Sequence, residues 1–274
     1  MMITKEKLEK FKNYLYEEEK SENTILKYLR DLNFFSKWLG EKEITKKEVL
    51  DFKKDLIEKY APASVNSMLS SLNAFFEYNN WQNLKVKTLK IQKQIFSNKE
   101  LTKGEYERLL KSAKENKRLY CLIQTICSSG IRVSELKYIT CEAVKNKEAV
   151  INLKGKMRVV ILPDGLCRLL AGYIRENNIK KGPVLLTRNN KPIDRTSIWK
   201  MLKSLCKKAN VPKEKVFPHN LRHLFARTFY AVKKDIVRLA DILGHSSINT
   251  TRIYTMETGK VHRMQIQKLG LVYP

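Results

Sequence analysis

Residues 149–162 read AVINLKGKMRVVIL. Two short runs rich in β-branched residues, Ala149–Leu153 and Arg158–Leu162, flank a tight Lys-Gly-Lys-Met connection, which is the pattern of a β-hairpin. Pro183–Leu186 (PVLL) is one further short candidate strand. Everything on either side has the spacing of helices. Upstream, helices are expected at about 102–115, 117–128 and 133–139. Downstream, Pro163 and Asp164 open a helix to about Asn177. Others follow at about 195–209, 219–232, 235–243 and 247–255, with a last short one at about 260–269. A hairpin set among helices makes this region α+β and the chain mainly α with a small sheet.

The first ninety residues read as helices alone. Leu8, Phe11, Leu15 and Tyr16 fall at helical spacing. Ser21 and Asn23 offer caps for a second helix that Gly40 ends. A third starts near Thr45, and Ala61-Pro62 separates it from a fourth, Ala63 to about Tyr78. Four helices with short connections predict a small bundle. The next stretch, LKVKTLKIQKQIFSNKE, carries Lys85, Lys87, Lys90 and Lys93, with no acid before Glu100. It is read as a basic linker, serving either as a solvated tether or as a segment lying along phosphates. The expected domains are therefore 1–84 and 101–274, joined by 85–100.

Composition narrows the function. The 274 residues include 54 Lys and Arg against 28 Asp and Glu, a formal net charge of +26. Such a surface seeks polyanions, with nucleic acid first and an anionic membrane surface second. No run of about 18 apolar residues exists to span a bilayer. The charged N-terminus has no signal-peptide pattern, so a cytoplasmic, nucleoid-associated protein is expected. The five cysteines form no C-x-x-C pair, and reduced thiols are expected rather than a disulfide frame or zinc site.

Three constellations stand out. In Pro218–His223 (PHNLRH), His219 and Arg222 lie three apart on one helix face. In Leu239–Thr255, an apolar helix stops at Gly244, His245 follows, and a polar stretch leads to Tyr254. In Ser128–Leu136 (SSGIRVSEL), Gly130 ends one helix, Arg132 follows, and Glu135 lies three residues on. A bare Arg–Glu surface pair contributes little. The alternative is a guanidinium held by Glu135 and aimed at a phosphate.

SGIRVSEL, HNLRH and LGHSSINTTRIYT, in this order, resemble the signature of the tyrosine site-specific recombinases. The closest likeness is to Xer-type recombinases and the compact integrases of mobile elements. SENTILKYLRDLNFFSKWL (21–39) is similar to their SAM-like core-binding domain, so the resemblance covers nearly the whole chain. It implies a core-binding bundle followed by an α+β catalytic domain. It also implies that Arg132 and Arg222 clamp the scissile phosphate, and that His219 and His245 hydrogen-bond its oxygens or assist proton transfer. Lys154 is then the general acid, Tyr254 the nucleophile and Glu135 a support. His223 matches a packing position. The hairpin connection is one residue shorter than the family's usual G-K-G-N-K-E-R, so Lys156 is the rival of Lys154.

The chemistry suits these residues. Attack of a phenol on a phosphodiester builds charge on the nonbridging oxygens, which arginine forks and histidine donors stabilise. Cationic neighbours and a base compensate for a phenol pKa of about 10. The leaving 5′-oxygen needs a proton, which a lysine supplies. The 3′-phosphotyrosyl link keeps the bond energy, so no cofactor, metal or ATP is expected. The implied function is strand exchange through a Holliday junction. The expected assembly is a homotetramer on two duplexes, each with inverted half-sites around a short spacer. The segment at about 261–274, with Val261, Met264, Ile266, Leu269 and Leu271, would dock on a neighbouring protomer. Two other readings are a type IB topoisomerase-like relaxing enzyme and a non-catalytic DNA-binding regulator. The latter leaves the six catalytic-type residues as coincidence.

Overall fold

The computed structural model describes residues 1–91, 100–153, 156–187, 189, 191–245 and 247–251. The chain divides into two compact units, Met1–Lys93 and Gln94–Pro274.

In the first unit four helices form as the spacing predicts: α1 (Lys5–Glu17), α2 (Glu22–Leu39), α3 (Lys46–Lys59) and α4 (Pro62–Tyr78). Thr4 and Thr45 cap α1 and α3 by accepting from the N–H groups of Lys7 and Glu48, and Pro62 occupies the first turn of α4. Their apolar stripes meet around Phe11, Phe35, Phe52, Phe75 and Phe76, all fully buried. Inside this bundle the buried Asp31 accepts from Ser71 of α4 at 2.9 Å and pairs with Lys27 at 2.9 Å. The charge is compensated, as burial requires.

The first residues of the expected basic linker, 85–89, are docked on this unit. Two α4 asparagines, seven residues apart and so on one face, each clamp a backbone segment at both ends. Asn73 binds the N–H and C=O of Val86 at 3.0 and 2.8 Å. Asn66 does the same for Leu89 at 2.7 and 2.9 Å. Lys87 and Lys90 point outward, while Lys85 pairs with Glu77 at 3.1 Å. Lys93 lies outside the described residues.

In the second unit α5 (Lys103–Ala113) and α6 (Lys117–Ser129) precede a 3₁₀ turn, Val133–Tyr138, where a helix was expected. A six-residue helix, α7 (Cys141–Asn146), follows; it is too short to show a period in sequence. β1 (Glu148–Leu153) and β2 (Lys156–Ile161) pair antiparallel, with Leu153 opposite Lys156. The strands therefore extend further than expected, and only Lys154 and Gly155 separate them. Pro183–Leu186 is not a strand: it makes two isolated bridges, Thr140 to Pro183 and Leu186 to Pro192. Pro183 lacks the N–H that a ladder needs there. Then come α8 (Asp164–Glu176), α9 (Arg195–Ala209), α10 (Pro218–Lys233), α11 (Ile236–Leu243) and α12 (Ile248–Thr251). The core lies among α5, α6, α8, α9, α10 and the inner face of the hairpin. All five cysteines are free thiols. Among the described residues no helix is long and apolar enough to cross a membrane.

Candidate active site

The site is organised around the C-terminal end of α11. Gly244 adopts φ +61°, the left-handed conformation that closes a helix with a Schellman motif. Its N–H donates to Asp241 O at 2.9 Å, and the N–H of His245 donates to Ala240 O at 3.0 Å. The next three carbonyls have no intrahelical partner. Each is taken by a different arginine. Arg158 donates to Ile242 O at 2.6 Å, Arg222 to Leu243 O at 2.6 Å and Arg132 to Gly244 O at 3.0 Å. Three cations at the negative end of a helix dipole are favourably placed.

Each arginine reaches this point from another element. Arg132 follows the left-handed stop of α6 at Gly130. Its backbone N–H and its Nη1 both donate to Glu135, each at 2.9 Å. Glu135 is 2% exposed, so the pair is not the weak surface contact of the simpler reading. Burial alone raises the Glu135 carboxyl pKa, but the hydrogen bonds from Arg158 and Arg132 outweigh it and hold the group below its ordinary value. Arg222 projects from α10 and is buried. Its Nη1 donates to the carbonyl of Gly130, and its Nη2 lies 3.3 Å from His245 Nε2. Gly130 is required twice over. Its φ is +63°, and an added Cβ would lie 2.5 Å from the Phe225 ring.

His245 Nδ1 lies 2.8 Å from the hydroxyl of Thr251, which is fully buried. A guanidinium only donates, so Nε2 accepts in the contact with Arg222. In the neutral ring the proton then sits on Nδ1 and is donated to Thr251. Burial first, then the charges of Arg222, Arg132 and Arg158, lower the His245 pKa to about 4. His219 is also lowered, by burial and then by Arg222, Arg195 and Arg132. Its ring packs edge-on against His223 at 4.4 Å, and His223 is lowered to about 4, chiefly by burial. Both candidate site histidines are therefore neutral at pH 7.

Arg132, His219 and Arg222 line an open cleft of about 790 Å³. The structure thus brings together Arg132, Glu135, His219, Arg222 and His245, which are far apart in sequence. Lys154 and Tyr254 lie outside the described residues. Lys156 begins β2, opposite Leu153 in the ladder.

Sequence reasoning missed Lys137, Arg195 and Trp199, which share the cleft, and Thr251 and Arg158 beside it. Arg158 had a signal. It falls in register with the buried Val160, so alternation placed a charge on the inner face of the strand. Thr251 had none, because its role depends on the fold of α12.

The chain is similar to known proteins over nearly its whole length. Residues 8–83 match the phage integrase N-terminal SAM-like domain, and residues 99–260 match the phage integrase family. The tyrosine recombinase XerA of Pyrococcus furiosus is 30% identical over 98% of this chain and 96% of its own length. The tyrosine recombinase XerD of Staphylococcus aureus is 29% identical over 91% of each. A solved XerA recombinase is 25% identical, with TM-score 0.56 over 99% of this chain and 100% of that one. A λ integrase dimer bound to a core site shares the fold, with TM-score 0.77 at 17% identity over 94% of this chain and 97% of that one. With two family domains matched in order over most of its length, the chain belongs to the phage integrase family and is a tyrosine recombinase, an enzyme of DNA strand breakage and rejoining.

Proposed function

We propose that Arg132, Arg222, His219 and His245 embrace the scissile phosphate of a duplex and that Tyr254 attacks it. The convergence of Arg132, Arg222 and His245 on the end of α11 supports this reading most directly. The phenol oxygen of Tyr254 forms a bond to phosphorus, and the bond to the 5′-oxygen breaks. Lys154 supplies the proton that the leaving oxygen takes up, with Lys156 as the alternative. The lone pair on the neutral His245 Nε2 is placed to take the phenol proton once Arg222 turns to the phosphate. Reversal with a 5′-hydroxyl from the second duplex rejoins the strand.

The same reading assigns Lys85, Lys87, Lys90 and Lys93 to phosphates flanking the cut. Its substrate is DNA with two inverted half-sites, met in the cytoplasm. Its assembly is a homotetramer in which residues 261–274 of one copy pack on the next, a head-to-tail contact that closes a ring.

The test is a nicked suicide duplex carrying the target site. The native protein is expected to form a covalent adduct that maps to Tyr254, and Tyr254→Phe to bind DNA equally and form none. An adduct on Tyr230 or any other tyrosine overturns the assignment. Removing residues 261–274 is expected to leave single-site binding intact and abolish strand exchange. Full recombination by the truncated chain overturns the assembly.

A further inference from the structure

Arg158 is the least expected of the three arginines at the end of α11. It sits on β2, its side chain is 14% exposed, and although it stands where the family's strand connection ends in Arg, the resemblance gave it no role. Its Nη2 donates to Glu135 Oε2 at 2.5 Å and its Nη1 to the carbonyl of Ile242 at 2.6 Å. The same Glu135 oxygen accepts the Arg132 backbone N–H at 2.9 Å, and the other accepts Arg132 Nη1 at 2.9 Å. One guanidinium therefore ties the carboxylate that aims Arg132 to the helix end from which His245 emerges. Gly244 accommodates it, since a Cβ there would overlap the Arg158 side chain.

We propose that Arg158 is a positioning residue for strand cleavage. It acts through Glu135 on Arg132, and through the α11 terminus on His245, without touching DNA. The planar fork is essential, because its two nitrogens satisfy two acceptors on different elements at once. An ammonium on a shorter stem keeps the charge beside Glu135 but does not span both. The proposal rests on the cleavage reading above.

The experiment measures single-turnover cleavage of the suicide duplex at saturating DNA, together with DNA affinity and melting temperature. Arg158→Lys retains the charge and is expected to fold with nearly native melting temperature and DNA affinity. Its cleavage rate is expected to fall about 10²-fold, the scale of a ~1 Å misplacement. In a double-mutant cycle, Glu135→Gln/Arg158→Lys is expected to be no slower than the slower single variant, because both changes cut the same link. Native cleavage by Arg158→Lys overturns the proposal, as does multiplication of the two losses. A fall in DNA affinity that accounts for the whole rate loss makes Arg158 a DNA contact and overturns it too. Absence of an adduct with the native protein overturns the cleavage reading instead, so the two failures are distinct.

Discussion

Arg132 donates from Nη2 to the carbonyl of Gly244 at 3.0 Å, across 112 residues of chain. The contact joins the end of α6 to the end of α11, and so joins two sequence motifs that carry chemistry. It also leaves part of the fork committed to backbone. A phosphate bound at this arginine competes with a neutral carbonyl, and the charged acceptor makes the stronger hydrogen bond.

The arginines are expected to differ in their effect on stability. Arg222→Ala strips donors from two carbonyls around a buried side chain and should cost about 2–4 kcal/mol. Arg132→Ala, at a side chain 39% exposed, should cost about 1 kcal/mol, because Glu135 keeps Arg158. Denaturant melts of both variants check the ranking, and equal losses would contradict it. Both should abolish cleavage.

Gly130→Ala should destabilise by about 2–4 kcal/mol, combining left-handed strain with overpacking. Adding Phe225→Leu should recover the packing part and leave the backbone part. If the pair melted like the single variant, the clash with Phe225 would carry none of the cost.

Acid should weaken the fold through its buried histidines. His223 and His245 take up protons at about 4 when folded, against an ordinary 6.5. Unfolding therefore binds protons as pH falls from 6.5 towards 4, and stability drops through that window. It is fully present above 6.5. Melting temperatures measured from pH 7.5 to 5 should fall, and less steeply in His245→Gln. A flat profile in the native protein would show that these histidines are not held neutral.

The linker lysines are tested by salt. Each phosphate contact removed should reduce the slope of log affinity against log salt by about one unit. Changing Lys87 and Lys90 to Gln should lower the slope, whereas Lys85→Gln should do so less, since Lys85 already pairs with Glu77. An unchanged slope after replacing Lys85, Lys87, Lys90 and Lys93 together would make the segment a tether.

The general acid is tested with a substrate whose bridging 5′-oxygen is sulfur, a leaving group that needs no proton. Lys154→Ala should cleave the ordinary duplex slowly and the sulfur duplex at nearly the native rate. Lys156 pairs with Leu153 in the ladder, so it too is carried by a strand end. Rescue of Lys156→Ala in place of Lys154→Ala would reverse the assignment.

Local information was enough for much of the architecture. Helix spacing, Thr and Pro caps and the hairpin alternation lie within a few residues of one another, so α1–α4, α9 and the β1–β2 pair were legible to within a turn. The stretch 133–139 was not, because a 3₁₀ turn and a short helix place the same apolar residues. Nor was Pro183–Leu186, whose apolar run matches a strand until its hydrogen-bond partners are known.

By itself the sequence determined the helical class, the basic surface and the identity of Arg132, Glu135, His219, Arg222 and His245 as residues fit for phosphate chemistry. Tertiary structure decided how they cooperate. The carbonyls of Ile242, Leu243 and Gly244 find arginines from three distant elements, and Arg222 sets the His245 proton on the nitrogen that faces Thr251. Such contacts depend on which helix ends and strand faces meet in space. No periodicity or spacing along the chain encodes the pairing of a backbone carbonyl with a side chain 84 or 112 residues away.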